Sequence, residues 1–130
     1  MDPAMPGAEP ENTDIHLEAD TWADGKNDNG FPPGNWIPYL AIDYTLKKTG
    51  SAWTTNGTLM PMVAADGPHY GANVKLDGPG EYALTFYIKP PSANGFLRHY
   101  DKETGVAAWW KPFTYKGSFV FAGTGKKGGY

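Results

Sequence analysis

The 130-residue chain predicts an all-β domain, an immunoglobulin-like antiparallel β-sandwich of about seven to nine short strands. Three observations carry that expectation. Aromatic residues make up 15% of the sequence and fall in runs of alternating polarity, which suit a pleated, half-buried surface. The 17 glycines and 12 prolines punctuate those runs with turn chemistry. No stretch of ten residues carries a convincing helical period.

The elements follow in order. MDPAMPGAEPENT (1–13) reads as a lead-in ahead of the fold, and DIHLEADTW (14–22) alternates as a strand. ADGKNDNGFPPGN (23–35) is a loop dense in turn formers. WIPYLAIDYTLKK (36–48) is a strand with clean alternation from Tyr39, its start placed at a sheet edge by Pro38. KTGSAWTTNG (48–57) is a turn region, TLMPMVA (58–64) a strand, DGPHYG (66–71) a tight turn and NVKL (73–76) a short strand. DGPG (77–80) predicts a hairpin turn into EYALTFYIK (81–89), the clearest strand of the chain. PPSANGFLRHYDKETG (90–105) is loop, WWKPFTYKGSFVFAG (109–123) supplies one or two closing strands, and 124–130 is a flexible tail. A single domain over 14–123 is long enough to bury a core without covalent staples.

Composition narrows the function classes. A net charge of −3, with no basic run beyond the lysine pairs at 47–48 and 126–127, argues against nucleic acid as a partner. There is no cysteine, which excludes disulfides, thiolate zinc sites, iron–sulfur clusters and cysteine-ligated copper. No stretch approaches the ~20 apolar residues of a membrane span, so direct membrane insertion is not expected. A G-x-S-x-G elbow, a phosphate cradle and an H-E-x-x-H motif are all missing, so nothing positive points to an enzyme.

What remains is a small polar inventory. His16 and Glu18 stand at i and i+2, so on a strand both project from one face. Met60 and Met62 repeat that spacing on another strand. His69 lies in the DGPHYG segment three residues after Asp66, where a turn would leave it exposed, and His99 lies in a loop beside Arg98 and Asp101. Imidazole and thioether together suit copper in either oxidation state. Taken singly, packing for the methionines and ordinary surface roles for the histidines are the commoner readings. Together, three imidazoles, one or two thioethers and a carboxylate at the ends of separate elements make a stronger case for a metal. Trp109 and Trp110 offer a separate alternative, stacking on sugar rings as in a carbohydrate-binding β-sandwich, against core packing.

IHLEAD, GNWIPYL, MPMVAADGPHYGANVKL, RHYDKETGV and WWKPF occur in this order, and together they resemble the periplasmic copper-binding proteins that accompany high-affinity iron permeases. The likeness spans about residues 14 to 120. It implies an immunoglobulin-like homodimer with copper near the dimer interface, bound by His16, Met62, His69 and His99, with Glu18 as an alternative ligand. Asp66 would lie near the site and serve a second metal, such as iron at a transient site, or bridge across the dimer, while Met60 would pack beside the ligands or support them from behind. Periplasmic residence and an inner-membrane iron permease as partner come from the resemblance alone, since no signal peptide is visible. Tyr100, directly after His99, is bulkier than the resemblance leads one to expect. The expected function is a metal-binding accessory protein of iron uptake rather than an enzyme. A copper-dependent iron redox enzyme is the alternative within the same chemistry.

Overall fold

A computed structural model describes residues 12–123. The expected lead-in 1–13, residues 12 and 13 apart, and the expected tail 124–130 lie outside the described residues. Six strands form: β1 (Ile15–Ala19), β2 (Ala41–Lys48), β3 (Thr54–Ala64), β4 (Gly67–Val74), β5 (Gly80–Lys89) and β6 (Phe113–Phe121). All pairings are antiparallel, in the order β1-β4-β3-β2-β5-β6. The all-β expectation holds with six strands in place of seven to nine, because 109–123 contributes one strand and not two.

The 11-residue β3 joins the two halves of the sandwich. Its first part, through Leu59, pairs with β2, and its second, from Met60, pairs with β4. A strand shared in this way curls the sheet over itself, so that inward faces meet. Strand alternation then decides what is buried: Leu17, Ile42, Leu46, Leu59, Tyr70, Tyr82 and Phe86 all face the core. Each large apolar side chain so buried contributes roughly 1.5–3 kcal/mol relative to exposure.

Four local expectations need correction. The second strand starts at Ala41 and not at Trp36, because Pro38 lacks an N–H and Tyr39 adopts a left-handed φ of 64°. That strained residue is held by its neighbours: its ring stacks on Phe96 at 4.8 Å, and Asn94 Nδ2 donates to its carbonyl at 3.0 Å. The Asn56-Gly57 pair is strand and not turn, since Gly57 leaves room for the ring of Tyr44, whose hydroxyl would lie 2.7 Å from a Cβ there. DGPG links β4 to β5, which are not neighbours, so it carries the chain across the sandwich and makes no hairpin. The fourth correction bears on function. Only Ala65 and Asp66 form the turn after β3, and Gly67 to Gly71 belong to β4. Pro68 stands second in its strand, where a missing donor is tolerated.

Tyr70 ties the entry of β2 to β4. Its buried hydroxyl donates to the Ile37 carbonyl at 2.5 Å and accepts from the Leu40 amide at 3.0 Å. Burial pushes its pKa up to about 12, against a smaller lowering from the Leu40 amide, so the phenol stays protonated. Tyr70→Phe strands both partners and is expected to cost about 1–3 kcal/mol, read as a lower urea midpoint at unchanged slope.

Candidate metal centre

Residues paired across antiparallel strands share a face of the sheet. On the outer face of β1, β4 and β3 the register sets His16 opposite Asn73, Glu18 opposite Gly71, Met60 opposite Gly71 on its other side, and Met62 opposite His69. Six side chains therefore ring the bare backbone of Gly71. Their chain neighbours Leu17, Tyr70 and Ala72 turn the other way, into the core. The period of two in IHLEA and in His69-x-Gly71-x-Asn73 is what brings these groups together.

Within that ring His16, Glu18 and His69 place their ligand atoms within 4.8 Å of one another. The two Nε2 atoms face each other at 3.4 Å, with the rings edge to face. His16 Nδ1 donates to Asn73 Oδ1 at 2.8 Å, which leaves the His16 lone pair on Nε2 and aimed inward. On His69, Nδ1 lies 3.1 Å from Glu18 Oε1. That carboxylate sits off the direction of the ring N–H, so charge proximity is present while the buried Nδ1 has no aligned hydrogen bond. A proton on His69 Nδ1 beside the carboxylate puts its lone pair on Nε2 as well. Two lone pairs then meet at the centre of the group, an arrangement that a cation between them resolves.

Gly71 makes this approach possible. A Cβ there would lie 2.8 Å from His16 Nε2 and 3.0 Å from its Cε1. The glycine keeps a cradle open beneath the His16 imidazole. A cradle of this kind, two facing Nε2 atoms and a nitrogen, nitrogen, oxygen donor set together fit a bound transition-metal ion.

The remaining candidates are placed as follows. His69, read from sequence as an exposed turn residue, is 3% exposed in the interior of β4. Met62 is half-buried opposite it, Met60 is exposed, and Asp66 is exposed in the two-residue turn between β3 and β4. His99 is not among the converging groups. Its side chain is exposed in the loop between the 3-10 turn Pro91–Asn94 and β6, with Nδ1 2.9 Å from Thr104 Oγ1. There the Thr104 hydroxyl, followed by its amide, holds the Asp101 carboxyl below the usual carboxylate range. Tyr100 points to solvent with Arg98 5.8 Å from its ring centre. Trp109 and Trp110 are half-buried at 86° to each other, with Trp109 packed on Phe31 and Phe96, so they form no coplanar platform for a sugar. Sequence reasoning missed Asn73 and Gly71. The alternation His69, Gly71, Asn73 would have found both once GPHYG is read as strand.

Fold and site together define a small β-sandwich with a histidine-rich, carboxylate-bearing site on an outer sheet face. A family model described as Fe2+ transport protein matches residues 1–123, and the chain belongs to that family. A UPF0423 protein of Brucella abortus is 56% identical over 122 residues, spanning 92% of this chain and 67% of that relative. The 34 kDa membrane antigen of Treponema pallidum is 42% identical over 90% of this chain and 63% of its own length. Among solved structures, a copper-bound variant of FetP from uropathogenic Escherichia coli superposes with a TM-score of 0.91 at 50% identity, covering 95% of this chain and 82% of that one. The copper-reconstituted P19 protein from Campylobacter jejuni gives 0.91 at 50% identity, covering 97% and 84%. Among the described residues, no helix is long and apolar enough to cross a membrane.

Proposed function

We propose that this chain is a periplasmic copper-binding accessory protein of high-affinity iron uptake, acting as a homodimer beside an inner-membrane iron permease. The observation that carries the reading is the inward-facing pair of Nε2 atoms on His16 and His69, 3.4 Å apart, with the Glu18 carboxylate 3.1 Å from His69 Nδ1. Two imidazoles accept Cu(II), a thioether favours Cu(I), and the copper-bound structures of FetP and P19 share this fold. His16, Glu18 and His69 would hold the ion together with Met62 from the adjacent row, and His99 would complete the set from a second copy of the chain. Bound copper supplies one-electron chemistry next to the iron cargo. The chain's own residues fix the imidazoles, supply one negative charge and shield His69 from water. In this reading a single domain over 14–123 carries the donor cluster, and Asp66 at the tip of the β3–β4 turn would serve iron transiently.

Calorimetric titration of metal-stripped protein with Cu(II) tests the reading. Tight binding at one copper per chain is expected; weak binding without defined stoichiometry would overturn it. Met62→Leu keeps the side-chain volume and deletes the sulfur. We expect it to weaken Cu(I) binding more than Cu(II) binding, and equal losses for the two ions would assign Met62 to packing.

A further inference from the structure

Apart from the converging group on the outer sheet face, the remaining histidine of the chain sits in a hydrogen-bonded frame of its own. In the loop Arg98 to Val106, the Thr104 amide donates to Asp101 Oδ2 at 2.8 Å, and the Thr104 hydroxyl lies 2.7 Å from Asp101 Oδ1 and 2.9 Å from Oδ2. His99 Nδ1 is 2.9 Å from that same hydroxyl oxygen. The loop is closed behind them by the Val106 amide donating to the His99 carbonyl and the Gly105 amide donating to the Asp101 carbonyl, both at 2.9 Å. Any Cβ on Gly105 would collide with the Asp101 backbone, so the loop can close this tightly only with glycine there.

A hydroxyl has one proton to give, and an ionised carboxylate can only accept. The Thr104 proton therefore goes to Asp101. Its oxygen lone pair then faces His99 Nδ1, and that nitrogen must carry the proton. Neutral His99 is left with its lone pair on Nε2, the reverse of the tautomer that free histidine favours in water. Packing cannot impose this choice, because the His99 side chain is 76% exposed.

We propose that Asp101 and Thr104 are positioning residues for metal binding, locking His99 as the Nδ1–H tautomer and presenting its Nε2 as a ready ligand. The inference rests on the reading of His99 as a copper ligand and adds to it the groups that prepare that ligand. Asn73 does the same for His16 within the sheet, where strand register holds the acceptor in place. In an exposed loop the same service needs a frame of its own, and Asp101, Thr104 and Gly105 build it. Partners that fix the tautomer of a ligating imidazole typically matter 10–100-fold in metal affinity, so about that loss is expected here.

The test combines nitrogen-15 NMR of the metal-free full chain, above the histidine titration range, with Cu(II) titration of the same samples. In the wild type His99 should be protonated at Nδ1. Thr104→Val keeps the backbone amide bond to Asp101 but removes the hydroxyl, so His99 should move to the Nε2–H form and Cu(II) binding should weaken about tenfold or more. Thr104→Ser should restore both. A wild-type His99 protonated at Nε2 overturns the proposal, as does a Thr104→Val protein that changes tautomer with no loss of copper affinity. His99→Ala separates the two readings. If it binds copper like the wild type, His99 is no ligand and the frame falls with it. If it binds weakly while Thr104→Val binds normally, the ligand stands and only the frame falls.

Discussion

His69→Ala removes nearly all copper-dependent stabilisation. At copper 100-fold above its dissociation constant the wild-type protein should gain about 2.7 kcal/mol by mass action. For a chain of this length that is roughly 10 °C in the thermal midpoint, and the variant should gain almost none of it. The reason is the place of the side chain. His69 supplies one of the two facing Nε2 atoms, lies beside Glu18 and stands opposite Met62, so its loss leaves only His16 and Glu18 converging and removes the group that links them to Met62. The metal-free protein should change far less. A buried imidazole whose Nδ1 has no aligned partner carries an unmet cost of about 1–3 kcal/mol, and deleting it offsets much of the cavity that alanine leaves. Differential scanning with and without Cu(II) reads both quantities. A variant that is badly destabilised without copper, yet still gains the full shift with it, would make His69 a core residue and not a ligand.

Parts of this fold and site were legible in the sequence for a simple reason. AIDYTLKK and EYALTFYIK alternate without a breaker, and they lie in β2 and β5, although β2 starts five residues later than the strand read over 36–48. IHLEA placed His16 and Glu18 on one face by its own period, and the structure keeps them there. His69 was legible as a candidate but not in its environment. Gly67 and Pro68 look like turn punctuation, whereas β4 uses them at its start and leaves the histidine buried. Asn73 and Gly71 were invisible for a deeper cause. Their roles depend on which residue lies across the sheet, and cross-strand register is set by tertiary pairing, not by neighbours in the chain. His99 illustrates the opposite case. Its partners Asp101 and Thr104 lie within five residues, yet the hydroxyl's direction appears only once the loop has closed.

Gly71→Ala is the second large effect, because it touches the site without altering a donor. The added methyl would stand 2.8 Å from His16 Nε2, too close for carbon to tolerate, and 3.2 Å from the Leu17 carbonyl, a tight contact that needs a few tenths of an ångström of give. The Leu17 carbonyl belongs to the β1 backbone and has little freedom to move. The imidazole is tethered at Nδ1 to Asn73, so relieving the contact swings Nε2 away from His69. We expect copper affinity to fall about 10–100-fold, the scale seen when the groups that orient a ligating histidine are disturbed. Crowding should also lower metal-free stability by about 1–3 kcal/mol. Gly57→Ala is the matched control. Its methyl would meet the Tyr44 hydroxyl at 2.7 Å, a comparable clash on the core face of β3, where no candidate ligand lies. Both variants should unfold earlier in urea, but only Gly71→Ala should weaken Cu(II) in calorimetry. Equal copper affinities for the two would mean that His16 reaches the metal from a ring position other than the one above Gly71, and that the bare backbone there serves strand packing instead.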